Sequence, residues 1–484
     1  MTKSELDRIF EDQKRFFETG YTKDVKNRVE LLSKLKKKVS DSEDLICSAL
    51  EKDLGKSRTE TFLTETYMLM TEINYFMKNI PALCAPKKVK TPLSAFPGKS
   101  LIFAEPYGNV LIISPWNYPL QLALAPLVGA VAAGNCVILK PSEYAPHTAT
   151  VLEKIISGVF LKEHVCTVCG GIEETSYLLE KPNDYIFFTG SPQVGKVVME
   201  KAALNLTPLT LELGGKSPCI IDRTADITLS AKRIAWGKFI NAGQTCVAPD
   251  YILIEEEIKE QFIKELVKYI ELFYASVDKD HPNGYAQLPR IINEKHFSRL
   301  EGYIKNQKVI YGGICEREKL FISPTVIENP SLDSPVMQNE IFGPILPIIE
   351  VANREKAREI IQKYPKPLAL YIFSNDPEFV SRSVNTISSG GACINDTISH
   401  ITSEYLPFGG VGNSGMGSYH GKSSFDTFTH YKSVLFKGKF DIKEKYPPYS
   451  EKFLLNLIKR PYPSKKKENS PYEGEFFILS EGLD

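Results

Sequence analysis

Neither sign of charge is in excess in this 484-residue chain, with Lys+Arg and Asp+Glu numbering 59 each. No global field draws nucleic acid to it, and nucleic acid is not an expected partner. No stretch reaches the roughly 18 consecutive apolar residues of a membrane-spanning helix. The opening Met1-Thr2-Lys3-Ser4-Glu5 lacks the basic and apolar regions of a signal peptide, so neither an integral membrane segment nor a leader is expected. The seven histidines form no metal-spaced cluster, which argues against a metal site. A disulfide framework is missing too. Cys47, Cys84, Cys136, Cys166, Cys169, Cys219, Cys246, Cys315 and Cys393 are scattered and odd in number, which suits a reducing compartment, and the chain reads as cytoplasmic. No internal repeat is evident.

The length suggests about two or three domains, each able to bury a substantial core. From Ser4 to about Met77 apolar residues recur at helical spacing among many Lys and Glu, as at Val29, Leu32, Leu35 and Val39, which predicts amphipathic helices. Pro81, Pro86, Pro92 and Pro97 with Lys87-Lys88 read as an exposed excursion. Short apolar runs then alternate with helical patterns: Val110–Ile113, a helix over Leu122–Ala133, Cys136–Leu139, a helix over Thr148–Val159, Tyr185–Phe188 and Pro208–Leu211. This βαβ rhythm predicts a parallel sheet with helices on both faces. It begins again at Cys219–Ile221, with helices near 228–241 and 257–275 and strands near 251–255, 346–350, 368–373 and 391–395. The fold class is therefore α/β, with two doubly wound parallel-sheet domains. Beyond Gly421 the chain turns polar, and from about Gly438 its prolines and Lys465-Lys466-Lys467 suggest a surface wrap or flexible tail with one amphipathic piece at Phe453–Ile458.

Glu212 and Cys246 each sit in a small-residue frame, Glu212-Leu213-Gly214-Gly215-Lys216 and Gly243-Gln244-Thr245-Cys246, that lets a substrate approach the side chain. A thiol that attacks as thiolate and a carboxylate that activates water together suggest covalent catalysis. A lone cysteine, by contrast, is usually a small buried hydrophobe. Asn117, in Pro115-Trp116-Asn117-Tyr118-Pro119, follows a strand and is placed either to stabilise an oxyanion or to shape a Pro-bounded turn. Lys140-Pro141-Ser142-Glu143 ends another strand, where Glu143 suits a ribose and repels a 2′-phosphate; a solvated Lys/Glu turn is the plainer reading. Gly190-Ser191-Pro192-Gln193-Val194-Gly195 follows a strand and precedes a helix expected near Val197, so backbone amides there suit a diphosphate. The Gly-x-Gly-x-x-Gly pattern at Gly410, Gly412 and Gly415 lies outside any βαβ unit and is discounted. Cys166-Thr167-Val168-Cys169 beside His164 reads as a strand, not a zinc or redox pair. Glu340-Ile341-Phe342-Gly343-Pro344 joins a carboxylate to an aromatic ring before a turn, suited to a ribose and a planar ring.

The ordered set Pro115–Pro119, Lys140–Glu143, Phe188–Gly195, Glu212–Pro218, Gly243–Cys246, Glu340–Pro344 and Leu406–Gly417 resembles the aldehyde dehydrogenase superfamily over about residues 10 to 440. The segment Ser418–Phe428 is similar to the class 3 branch of fatty, aromatic and coniferyl aldehyde dehydrogenases. The resemblance implies Cys246 as nucleophile, Glu212 as general base and Asn117 with the Cys246 amide as oxyanion hole. It implies a cofactor site, NAD with NADP also accepted, made by Trp116, Lys140, Glu143, Gly190, Ser191, Gly195, Glu340 and Phe342. Pro192 departs from a frequent Thr of the family, which removes one polar contact. The implied organisation is an NAD(P)-binding domain over 1–80 and 103–212, a catalytic domain over 213–411, a small bridging or oligomerisation element over 81–102 and 412–440, and a tail over 441–484. The implied reaction is oxidation of a medium- or long-chain aliphatic or an aromatic aldehyde to its acid, in a homodimer without a membrane anchor. Two alternatives share the nucleophile. A CoA-acylating semialdehyde dehydrogenase usually lacks the carboxylate at Glu212, and a thiol esterase needs no nucleotide. Tyr118 and Ile401-Thr402 are expected to line the substrate pocket.

Overall fold

The computed structural model describes residues 1–92, 95–275, 288–440, 446–449, 451 and 455. The opening amphipathic stretch folds into the helices Lys3–Glu18, Val25–Asp41, Glu43–Leu54, Arg58–Thr61 and Tyr67–Cys84. Thr2 starts the first with a reciprocal cap: its hydroxyl accepts from the Glu5 amide at 3.2 Å while the Glu5 carboxylate accepts from the Thr2 amide at 2.7 Å. In the second, Leu32, Leu35 and Val39 form the buried face and Val29 borders it. Between Phe62 and Thr66 the helix widens by one π-helical turn, a feature that often marks a functional site, and Glu65 is buried within it.

The first large sheet has six strands in the order Gly415–Met416, Leu209–Leu213, Tyr185–Gly190, Asn109–Ile113, Cys136–Lys140, Val165–Thr167. All neighbours are parallel except the edge strand Gly415–Met416. Its strands are apolar on both sides because side chains alternate between two cores. Val110, Ile112, Val137, Leu139 and Phe187 pack with the helix Gln121–Ala133 and the N-terminal helices. Leu111, Ile113, Ile138, Ile186 and Phe188 pack with Leu6, Ile9, Val198 and Ala202 on the other face. Gln121–Ala133 is buried along its whole length, consistent with its small apolar residues.

The second large sheet has seven strands in the order Val309–Tyr311, Thr325–Glu328, Ile345–Val351, Tyr251–Glu255, Pro218–Ile221, Ala369–Phe373, Gly391–Ile394, parallel except for Val309–Tyr311. The chain passes from one sheet to the other through Gly214–Ser217, and Glu212 is the penultimate residue of the first sheet's last parallel strand. Both sheets belong to one compact unit, Met1–Pro86 with Phe103–Lys432. A separate three-stranded sheet has the order Lys87–Val89, Gly98–Pro106, Thr429–Lys437.

Several sequence expectations need adjustment. The helix after Gly190 begins at Pro192, ahead of the expected Val197, because the Ser191 hydroxyl caps it from outside and Pro192 brings a helix-ready φ to the first position. The expected break at Pro81 is instead the last turn of Tyr67–Cys84, and the excursion after it contains the strand Lys87–Val89, paired antiparallel with Gly98–Pro106. The polar stretch beyond Gly421 carries the helix Lys422–Thr427 and the strand Thr429–Lys437. The amphipathic piece expected at 453–458 and the basic run at 465–467 lie outside the described residues but for Leu455. No helix among the described residues is long and apolar enough to cross a membrane.

Candidate active site

The helix Ile227–Phe239 runs into a turn in which Asn241, Ala242 and Gly243 all take left-handed backbone conformations, with φ of 53°, 52° and 71°. Two of the three are not glycine, so the turn is strained and has to be held by its surroundings. The Asn241 amide nitrogen donates to Glu60 at 2.7 Å, and its side chain donates to the Asn117 carbonyl at 2.8 Å and the Gln244 carbonyl at 3.1 Å. Gln244 donates to the Asn241 and Arg290 carbonyls at 3.1 Å each and accepts from the Ile292 amide at 3.0 Å. At Gly243 a β-carbon would lie 2.2 Å from the Gly343 carbonyl oxygen. What this scaffold presents is Cys246, half-buried beside the fully buried Val247. Asn117 reaches the same loop, its Nδ2 donating to the Gln244 carbonyl at 3.0 Å, and the Tyr118 hydroxyl meets Thr245 Oγ1 at 2.6 Å.

Burial pushes the Cys246 thiol up to about 12, and the charges of Glu340 and then Glu212 add to it, while the backbone amides of Cys246 and Val247 oppose. Burial and the two carboxylates thus disfavour the thiolate form in which the sequence reading has Cys246 attack. Glu212 is 3% exposed, and neither of its oxygens has a hydrogen-bond partner among the described residues. Burial alone raises its carboxyl well above the usual range. Glu340 is raised to about 8 by burial and by Asp250, with the Gly215 amide, Arg299 and Lys216 pulling the other way. A β-carbon on Gly214 would lie 2.1 Å from Glu340 Oε2, so this glycine is needed for close approach. Lys216 pairs with Asp250 and donates to the Val336 and Asn339 carbonyls at 3.0 and 2.9 Å, and Asp250 accepts from the Ile341 amide at 2.9 Å. These bonds hold the Asn339–Gly343 turn. Phe342, at φ 48°, packs edge-on against Trp116 with centroids 5.4 Å apart.

Ser114, Lys140 and Gly190 stand at the carboxyl ends of adjacent parallel strands, where ligands bind in open α/β sheets. Lys140 is buried, donates to the Pro141 carbonyl at 2.8 Å and lies 3.8 Å from the exposed Glu143 carboxylate; burial lowers its pKa and Glu143 opposes. Ser191 caps the helix Pro192–Leu204. A β-carbon on Gly190 would meet the Phe188 ring at 2.5 Å, and one on Gly195 would meet Leu213 at 2.7 Å. Ser114 Oγ, Thr189 Oγ1 and Glu340 Oε1 are buried and without partners among the described residues. A helix start flanked by obligatory glycines and polar atoms left without partners fits a dinucleotide.

The site thus gathers Asn117, Glu212, Cys246 and Glu340 at one cleft, with Trp116 and Phe342 packed together beside it. Lys140, Glu143, Gly190, Ser191 and Gly195 form the strand-end cradle. The discounted glycine pattern packs against protein: Gly415 pairs with Glu212, and a β-carbon there would meet the Leu211 carbonyl at 2.1 Å. Ile401 and Thr402 line a small pocket with Met68, Gln121, Ala125 and His420, while Tyr118 is turned to Thr245. Cys166 is buried in a strand and Cys169 exposed, both as free thiols. Sequence reasoning missed Lys56, Glu60, Glu65, Asn241 and Gln244. Only the adjacency of Asn241 and Gln244 to Cys246 was a signal that pointed to any of them.

Three outcomes follow from this geometry. Alkylation of Cys246 by iodoacetamide in the cofactor-free protein rises through pH 9 without levelling, and a plateau below pH 8 would contradict a thiol raised by burial. A carboxyl raised on folding contributes stability below its unfolded value and loses it as pH climbs through the folded one. Glu212→Gln therefore raises the melting temperature more at pH 8 than at pH 5, and equal shifts would count against a raised carboxyl. Gly243→Ala destabilises by about 1–3 kcal/mol from backbone strain, with the clash at Gly343 in addition, as read by urea unfolding.

Residues 1–434 match the model of the aldehyde dehydrogenase family. The chain is 46% identical over 440 residues to aldehyde dehydrogenase family 3 member B3 of Mus musculus, covering 90% of this chain and 91% of the relative. It is 44% identical over 435 residues to the dimeric NADP-preferring aldehyde dehydrogenase of Rattus norvegicus, covering 89% and 95%. Its structure matches the substrate-bound state of Staphylococcus aureus AldH with a TM-score of 0.90 and 45% identity, over 94% of this chain and 99% of that one. With the family model spanning both large sheets and the cleft residues Asn117, Glu212, Cys246 and Glu340, the chain belongs to the aldehyde dehydrogenase family, in its class 3 branch.

Proposed function

We propose that this NAD(P)-dependent aldehyde dehydrogenase oxidises medium- or long-chain aliphatic or aromatic aldehydes to acids through a covalent adduct on Cys246. The observation that carries this reading is Glu212: a carboxyl 3% exposed, both oxygens unpartnered among the described residues, in electrostatic range of the thiol. Leaving such a group unpaired costs stability, and a proton acceptor for the reaction explains why it is there. Cys246 Sγ, its proton released to solvent, adds as thiolate to the carbonyl carbon. The Asn117 side-chain amide, with one N–H on Gln244, turns the other to the new oxyanion together with the Cys246 backbone amide. A bound oxidised nicotinamide would supply the acceptor for the hydrogen and electron pair lost when the adduct on Cys246 becomes a thioester. Glu212 then deprotonates a water that attacks the thioester, and Cys246 leaves as the thiol.

Glu340 and Phe342 hold the nicotinamide side, Trp116 flanks it, Gly190, Ser191 and Gly195 face the diphosphate, and Lys140 and Glu143 take the adenine ribose. The exposed Glu143 carboxylate disfavours a 2′-phosphate, which supports NAD as the better cofactor with NADP accepted. Nine free thiols support a reducing, cytoplasmic setting, and a relative named as dimeric supports a homodimer, which sedimentation tests.

Cys246→Ala binds NAD⁺ as wild type does and loses aldehyde turnover; retained turnover would remove Cys246 from the chemistry. Glu212→Gln slows thioester hydrolysis by roughly 10²–10⁴-fold, so a covalent acyl adduct accumulates on intact-protein mass spectra. Glu143→Ser raises kcat/KM for NADP⁺ relative to NAD⁺ by about tenfold, as one lost repulsive contact of about 1.4 kcal/mol gives, and an unchanged ratio would place the ribose elsewhere.

A further inference from the structure

Lys56 and Glu65 touch none of the reacting atoms in the mechanism above, yet their side chains are 0% exposed and joined by an ion pair of 2.6 Å. Removing two charges from water is expensive, and such a pair is weak evidence of a stabilising role. Their remaining hydrogen bonds go to a single segment. Lys56 Nζ donates to the backbone carbonyl of Asn117 at 3.1 Å and lies 4.1 Å above the centre of the Tyr118 ring. Glu65 Oε2 accepts from the backbone amides of Leu120 at 3.0 Å and Gln121 at 2.9 Å. The helix Gln121–Ala133 has no side-chain cap at Leu120, so Glu65 supplies one from the π-helical turn. The pair thus grips residues 117 to 121 at both ends.

The gripped segment is in turn bonded to the nucleophile loop at three points. Asn117 Nδ2 donates to the Gln244 carbonyl, Asn241 Nδ2 donates to the Asn117 carbonyl, and the Tyr118 hydroxyl meets Thr245, the neighbour of Cys246. Lys56 and Asn241 converge on the same carbonyl oxygen, one from the N-terminal helices and one from the loop of the nucleophile. We propose that the Lys56–Glu65 ion pair is a positioning device that sets the Asn117 amide against the Cys246 sulfur, so that the oxyanion donor is in place before an aldehyde arrives. This rests on the reading of Asn117 as oxyanion donor. A low-dielectric pair does this well because it holds its geometry without solvent rearranging around it.

The test is a mutant cycle on the full-length enzyme with hexanal and NAD⁺: wild type, Lys56→Met with Glu65→Met, Asn117→Ala, and all three changes together. Replacing both charges leaves no lone ion in the interior, and NAD⁺ affinity with the melting curve reports folding. The paired Met variant is expected to lose about 10–100-fold in kcat with little change in KM or in NAD⁺ Kd, the scale of a misplaced reacting group. In the Asn117→Ala background the same pair of changes costs nothing further. Wild-type kcat in the paired variant, or losses that multiply in full, would overturn the positioning role while leaving the Asn117 assignment standing. Wild-type kcat in Asn117→Ala would overturn that assignment, and the positioning role with it. If the paired Met variant does not fold, Glu65→Gln, which keeps the size of the side chain, is carried through the same cycle with the same two readings.

Discussion

Everything at this site depends on a carboxyl group held out of water with nothing to bond. Glu212 is the penultimate residue of a strand whose Leu209, Leu211 and Leu213 pack in one core, and it meets no donor among the described residues. Buried acids of this kind are stable only in their neutral form or beside a transient partner. Burial likewise pushes the Cys246 thiol up, and Glu340 adds to it. Burial therefore disfavours the charged form of both Cys246 and Glu212, and each charge discourages the other.

Such a site is costly to build, and the surrounding structure carries the strain. The three left-handed residues before Gln244 are held by the Glu60 carboxylate and the Asn117 backbone carbonyl, from two distant parts of the chain, and by Gln244 itself. The turn that carries Glu340 is held by Lys216 and Asp250. In both cases a buried polar network fixes a backbone shape that local preference resists, so rigidity at the reacting atoms comes from hydrogen bonds made well away from them.

Much of this was legible in the chain. Apolar runs such as Val110–Ile113 and Cys136–Leu139, alternating with helical patterns, gave the parallel sheets because strands buried on both faces have few polar residues to mislead. Cys246, Glu212 and Asn117 stood out because small or Pro-bounded neighbours framed them. Residues following Gly421 were harder to read: Thr429–Lys437 is mostly exposed, so it lacks the apolar alternation that identifies a strand. The helix start at Pro192 was misplaced because the glycines around it resemble a loop until the Ser191 cap is seen.

By itself the sequence determined the α/β rhythm and singled out Cys246, Glu212 and the glycine-flanked turn at Gly190–Gly195 as candidates, since each leaves a local mark in residue type or spacing. Only the tertiary structure decided the burial that raises the Cys246 thiol, the lack of a partner for Glu212 among the described residues, and the link from Lys56 and Glu65 to the Asn117–Gln121 segment. Those properties arise from burial and from partners far apart in the chain, and neither dielectric surroundings nor long-range contacts are written in any short run of residues.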